Sequence, residues 1–303
     1  YEGSPYLAQA LINTAFYAYE TGNLYLSIDA RRQLDGDEFS DTEYYTDNAY
    51  YLGFAEETLA DFETAAGHYE DYFERFHDAD PDDADENHER AREAVALAGN
   101  FRVATGTEAG VEQGIANYRQ FIDAYPNHEN VTGLLLDIAR IYFENEDWRS
   151  ASRAYRDLWE DPPDDLTTDQ RLYCRLMDGR ARESNGQDAD NHWRWTLVEY
   201  DNAVEAEEEL AIGHSVAARI RYHQIQERLA EYYEMDISGP PPGRASEEYT
   251  NIVIQRQLTE KFNEATQLDL ELKEIYYLQG GEWSLAAAID LGRVWENFGQ
   301  VLL

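Results

Sequence analysis

A pair of helical segments recurs along this chain, small residues on the first answered by a small residue and an aromatic on the second. The clearest copy has Leu135, Ile138, Ala139 and Tyr142, then Ala151, Tyr155 and Leu158, with Pro163 beyond the helix. A second copy has Ala49, Leu52 and Gly53, then Ala65, Tyr69 and Tyr72. Small residues let the two helices of a hairpin approach closely, and the aromatic and leucine side chains fill the groove between hairpins. A chain patterned this way is expected to be all-α, each hairpin burying its apolar face against its neighbours.

Weaker copies keep the same phase. The first pair runs from Leu7 to Glu20, turns at Thr21-Gly22-Asn23, and continues from Leu24 to Leu34. Ala15 and Leu34 fit the pattern, whereas Ser27 and Arg31 stand where a small residue and an aromatic are expected. The third pair starts with Ala91 to Thr105; its second helix carries Gly114, Tyr118 and Phe121 and stops at Tyr125-Pro126, since proline cannot continue a helix. A fifth pair is read from Gly179, a turn at Asn185-Gly186, then Trp195 and Val198. In that register Asn191 occupies the small position, which predicts a looser hairpin. The spacings between Tyr69, Tyr118, Tyr155 and Trp195 all exceed a unit of about 34 residues, so the connectors are long. The largest surplus lies in the acidic stretch from His77 to Glu89.

These residues resemble the tetratricopeptide (TPR) family over Tyr6 to Tyr200, most specifically in the second and fourth pairs. The resemblance implies an α-solenoid of about five helix pairs over residues 1–202. From Ala203 the pattern changes: two long helical stretches, Ala203 to Met235 and Ser246 to Gln279, flank Ser238-Gly-Pro-Pro-Pro-Gly243. Proline and glycine there force a turn, so residues 203–279 are expected to form a long antiparallel helical hairpin. Val216, Ile220, Ile225, Leu229 and Tyr232 would pack against Leu258, Phe262, Ala265, Leu272 and Ile275. Residues 280–303, with Leu291, Gly292 and Trp295, read as the first helix of a further repeat or as a docking helix. Val301-Leu302-Leu303 is apolar where an end repeat needs a polar cap, which suggests a fragment or a docked C-terminal helix. The start at Tyr1 suggests a removed signal peptide or a longer parent chain.

Composition narrows the partners. The formal net charge is −38, which disfavours a phosphate backbone, so nucleic acid is not expected. Only Lys261 and Lys273 are lysines among the 24 basic residues. A GC-rich genome explains arginine in place of lysine but not the excess of acid, so a salt-adapted source is expected. No apolar run reaches the about 18 residues of a membrane-spanning helix. Cys174 is the sole cysteine, which excludes an intrachain disulfide and reads as a small apolar residue inside a hairpin.

Motifs that carry chemistry are sparse. Asp78, Asp80 and Asp82 alternate ahead of Glu89, which resembles a calcium loop, yet Asp83 replaces its essential glycine and Pro81 stiffens the turn. An acidic solvated connector explains the same residues. The seven histidines form no His-Glu-x-x-His pattern, and no nucleophile elbow, phosphate loop or dinucleotide fingerprint is present. No catalytic residue, cofactor or metal ligand is therefore assigned, and the expectation is a non-enzymatic protein.

In TPR proteins the first helices line a concave groove that can seat a peptide or a helix. The resemblance then implies a partner-binding face of Phe16, Tyr19, Tyr50, Phe54, Leu136, Arg140 and Phe143, with Ile12 beside them. The competing reading is that some of these side chains belong to the core. With no lysine before Lys261, a lysine clamp for a chaperone tail is disfavoured. Tyr118-Arg-Gln-Phe-Ile-Asp-Ala-Tyr-Pro126 followed by Leu136-Asp-Ile-Ala-Arg-Ile-Tyr142 is similar to bacterial cell-envelope TPR proteins of outer-membrane assembly, Tol-Pal-associated division and surface motility. The stretch Glu282 to Trp295 resembles large myxobacterial TPR proteins, including gliding-machinery components. The resemblance implies an interaction scaffold at the periplasm or outer-membrane periphery; an intracellular TPR adaptor and a helical regulatory domain of a larger enzyme are the alternatives.

Overall fold

Four hairpins are set by one kind of turn. A residue in the left-handed region is followed at once by a helix-capping side chain: Gly22 then Asn23, Ala60 then Asp61, Gly106 then Thr107, Glu146 then Asp147. In every case the cap accepts a hydrogen bond from a backbone N–H of the second helix's first turn, which fixes where that helix starts. Gly186 supplies the same left-handed residue in the next turn.

The computed structural model describes residues 6–78, 86–238 and 246–302, with the side chains of 86 and 87 left aside. Among them are thirteen α-helices and one short 3-10 turn, with no strand. The helices are α1 (Leu7–Glu20), α2 (Leu24–Leu34), α3 (Glu43–Thr58), α4 (Phe62–Phe76), α5 (Glu86–Ala104), α6 (Glu108–Ala124), α7 (Val131–Glu144), α8 (Trp148–Glu160), α9 (Thr168–Ser184), α10 (Asp190–Glu205), α11 (Gly213–Glu234), α12 (Glu247–Tyr277) and α13 (Glu282–Val301). No helix among the described residues is long and apolar enough to cross a membrane. The fold is an all-α run of helix hairpins, and its contacts divide it into two units, Tyr1–Ile141 and Tyr142–Leu303.

In the first unit each helix from α1 to α6 packs on the next, and the first helices also touch one another, α1 on α3 and α3 on α5. The small–aromatic register governs these contacts. A methyl group on Gly53 would stand 3.1 Å from the Tyr69 ring, and one on Gly99 only 2.5 Å from the Tyr118 ring. Ser27 is buried and donates its hydroxyl hydrogen to Ala15 O at 2.7 Å, so a serine fills the small position by capturing the facing backbone. Arg31 fills the aromatic position: it is buried, and its guanidinium lies 5.0 Å from the centroid of the Tyr51 ring. Burial lowers its pKa to about 10. Ala49, Ala65, Tyr69, Tyr72, Ala94, Ala98 and Phe121 form the main core, joined by Val131 and Leu134 at the start of α7. Glu70 ties three helices together, accepting two hydrogen bonds from Arg102 and one from Asn117.

In the second unit α8 packs on α9, and α9 on α10 and α11. The fifth hairpin corrects the sequence register. The ring that fits against Gly179 is Trp193, and the small residue one turn earlier is buried Ala189. Trp195 and Val198 are exposed, and so is Asn191. The connector around Gly186 to Asp188 shifts the pattern by two residues, so no loosening at Asn191 arises.

The long hairpin is formed by α11 and α12, with Ile225, Leu229 and Tyr232 against Ala265, Leu268, Leu272 and Ile275. Val216 and Ile220 instead face Leu176 and Trp193 of α9 and α10. Lys261 is buried and donates to Met235 O at 2.7 Å, so one of the two lysines satisfies a carbonyl at the end of α11. Helix α13 lies on both α11 and α12 through Ala287 and Val294. Gly292 points outward with nothing near it, and Phe262 packs on Trp295 and Phe298 rather than inside the α11–α12 seam.

These contacts set two opposite expectations. Gly99→Ala should destabilise the protein by about 1–3 kcal/mol, because the added carbon overlaps the Tyr118 ring. Gly292→Ala should stabilise it by about 0.5–1 kcal/mol, since alanine favours an open helix site. Urea unfolding of the two variants reads both signs.

Candidate functional site

The first helices of the first unit present aromatic side chains outside the core. On α1, Phe16 is 54% exposed, and on α3, Phe54 is 41% exposed. Tyr19 and Phe54 meet with ring centroids 5.6 Å apart, so α1 and α3 share one aromatic surface. Tyr50 follows on α3 but is half-buried against Tyr69 and Tyr72. Its hydroxyl donates to Glu93 of α5 at 2.9 Å, carrying the surface across to a third first helix. Burial and the Glu93 carboxylate both push the Tyr50 phenol up in pKa, so it stays a neutral donor. Beyond Glu93 opens a cleft of about 590 Å³ lined by Ala96, Leu97 and Asn100 of α5, Phe121 of α6, and His128 and Asn130.

The α7 residues split between the units. Leu136 is half-buried, and Arg140 is exposed and pairs with Asp137 of its own helix at 2.8 Å. In the second unit Phe143 is half-buried, packed edge-on against Trp148, and the Arg180 guanidinium of α9 lies 5.0 Å from its centroid. Of the seven residues expected on this face, the structure therefore joins Tyr19 with Phe54, and turns Tyr50 partly into the core. Glu93 and Arg180 were not anticipated. Arg180 was legible in principle, since it follows Gly179 as Phe54 follows Gly53.

The acidic connector contributes less. Asp80 and Asp82 lie outside the described residues, Asp78 stands 3.4 Å from His77 Nε2, and Glu89 lines the cleft. Among the described residues no three His, Cys, Asp or Glu side chains are placed to hold a metal ion. Cys174 is fully buried and its thiol is pushed up to about 12, so it stays protonated.

One polar cluster combines a carboxylate, a serine and a histidine. Asp178 of α9 is fully buried and accepts hydrogen bonds from Ser152 Oγ at 2.6 Å, Trp159 Nε1 at 3.1 Å, and Arg182 twice at 2.8 Å. Burial alone would raise its pKa; the hydrogen bonds from Arg182 and Ser152 outweigh that and hold it below the ordinary carboxylate range. His192 Nε2 lies 2.6 Å from Arg175 O, so that nitrogen carries the hydrogen and donates it. Its Nδ1 is 3.9 Å from Asp178, and Ser152 is directed at the carboxylate rather than at the imidazole. Ser152 and Trp159 join α8 to α9, His192 joins α10 to α9, and Arg182 braces the carboxylate from its own helix, which makes the cluster a structural tie.

Comparison with known proteins gives little beyond this. No family model matches the chain, and neither does any curated protein. Among solved structures, a tetratricopeptide repeat protein from Parabacteroides merdae is similar at a TM-score of 0.38 and 9% identity, over 95% of this chain and 99% of that one. The Rap conjugation gene regulator of plasmid pLS20, solved with the Phr* peptide, is similar at a TM-score of 0.32 and 12% identity, over 96% of this chain and 73% of that one. Neither likeness is strong enough for fold or activity to transfer.

The Asp178 tie gives a pH expectation. Its carboxylate is held below the unfolded value of 3.8, so its contribution is full above that value and is lost as pH falls through the lower folded one. Buried His192 has a lowered pKa, so protonation below 6.5 also disfavours the fold. Asp178→Ala should cost about 3–5 kcal/mol at neutral pH. Asp178→Asn should flatten the acid side of the stability profile, read by urea unfolding from about pH 7 to about pH 3.

Proposed function

We propose that this protein is a non-enzymatic interaction scaffold that holds a segment of a protein partner on the first-helix face of its N-terminal unit. The observation that carries the reading is the Tyr19–Phe54 pair. Two rings from consecutive first helices meet at the surface, with Phe16 exposed on the same helix as Tyr19. Exposed aromatics grouped in this way mark contact surfaces more often than isolated ones do. Phe143 holds the equivalent register position in the second unit, where the Arg180 guanidinium lies 5.0 Å from its ring centroid.

We further assign the scaffold to a bacterial cell-envelope complex, at the periplasm or the outer-membrane periphery. The support is the similarity of Tyr118–Pro126 and Leu136–Tyr142 to envelope repeat proteins, together with an acidic, lysine-poor composition that suits a salt-adapted source.

Immobilised protein is expected to capture a partner from an envelope fraction, with Phe16→Ala and Phe54→Ala each lowering capture by about tenfold. Unchanged capture by both variants contradicts the face assignment. Capture confined to a cytosolic fraction contradicts the envelope assignment.

A further inference from the structure

The two units treat one register position differently. Tyr19 stands four residues after the small Ala15, and Phe54 directly follows Gly53. Phe143 stands four residues after Ala139, and Arg180 directly follows Gly179. The pairs Tyr19–Phe54 and Phe143–Arg180 are therefore the same pair of positions on successive first helices. In the second unit the later position supplies a guanidinium 5.0 Å from the centroid of the earlier ring. In the first unit it supplies a second ring, and no described cation lies over either.

The surroundings match that difference in charge. Helices α1 and α3 contain no lysine or arginine, whereas they carry Glu20, Glu43, Asp47, Glu56 and Glu57. Glu20 directly follows Tyr19, and Glu57 stands one turn beyond Phe54. Glu57 is held in place by the Tyr69 hydroxyl, which donates to it at 2.8 Å. The arginines described against α3 are already spent: Arg31 and Arg90 lie over Tyr51, Arg75 lies over Tyr45 and pairs with Asp35, Arg90 pairs with Asp47 at 2.9 Å, and Arg32 pairs with Glu56 at 2.6 Å. Elsewhere the chain repeatedly covers an aromatic face with arginine, as with Arg175 on Trp159 at 4.0 Å and Arg219 on Trp283 at 4.9 Å. Aromatic faces beside carboxylates attract a guanidinium or ammonium through the ring quadrupole and through charge together.

We infer that the Tyr19–Phe54 surface takes a cationic side chain from a partner, an arginine or lysine on an amphipathic segment whose apolar residues rest on Phe16 and Phe54. The inference rests on the proposed binding face and adds the chemistry of its ligand. The partner's cation occupies the position that Arg180 fills internally in the second unit. Phe54→Arg recreates the Phe143–Arg180 arrangement and closes the site from within.

Fluorescence anisotropy with three labelled amphipathic peptides, Leu/Arg, Leu/Gln and Leu/Glu, tests this on the full chain. The Leu/Arg peptide should bind about tenfold or more tighter than the Leu/Gln peptide, and weaken between ~0.05 M and ~0.5 M NaCl. Phe54→Ala and Phe54→Arg should each reduce Leu/Arg binding by about tenfold, while Trp195→Ala, at an exposed tryptophan outside the site, leaves it unchanged. Circular dichroism confirms that the variants are folded. Phe54-dependent binding of Leu/Gln or Leu/Glu as tight as that of Leu/Arg would overturn the cationic inference and leave the binding face standing. Leu/Arg binding insensitive to both Phe54 variants would be bulk charge attraction, and would overturn the inference. Binding of no peptide would overturn both readings.

Discussion

The structure depends on how closely two helices of a hairpin can approach. At Gly53, Gly99 and Gly179 the missing side chain is replaced by the ring of Tyr69, Tyr118 or Trp193 from the second helix. That contact sets the helix spacing, and through it decides which residues of the first helix stay outside. Phe54 stays exposed, and Arg180 reaches the Phe143 ring, because the preceding glycine is turned into the hairpin. Ala65 and Ala189 stand one turn before their rings and are buried for the same reason, as are Ala139 and Ala151.

Charge is organised around this framework. The strong excess of carboxylate is met in several places by arginines that satisfy more than one demand. Arg228 bridges Glu264 and Glu271 across the α11–α12 seam, and Arg182 grips Asp178 with two parallel hydrogen bonds. Arginine's planar fork suits that work, whereas a lysine offers a point charge. Lys261 is the exception that fits: it is buried where carbonyl oxygens at a helix end require a compact donor. With the arginines so employed, α1 and α3 are left acidic and aromatic, which gives the first-helix face its chemical character.

Most of the helix pattern was legible because small and aromatic residues repeat with it, and turn residues such as Gly22, Gly106 and Gly186 mark its ends. Two local features were not. Trp193 was displaced in favour of Trp195 because both are tryptophans in the same helix and only the length of the connector decides between them. Gly292 looked like a close-approach position, yet α13 meets its neighbours through Ala287 and Val294, a choice made by tertiary packing. For the candidate site, the sequence placed Tyr19 and Phe54 on first helices, and their mutual contact emerged only in three dimensions. For Tyr50 the sequence left groove and core both open, and rings from α4 draw it partly inward.

A double-mutant cycle at Gly179 and Trp193 tests most directly whether ring-on-glycine contact sets the hairpins. Gly179→Ala, Trp193→Leu and the double variant would be compared by urea unfolding. If the contact governs helix spacing, the smaller leucine makes room for the new methyl, and the two losses fall short of additive by about 1–3 kcal/mol. Strict additivity would mean that the ring and the glycine do not sense one another, and would contradict the account.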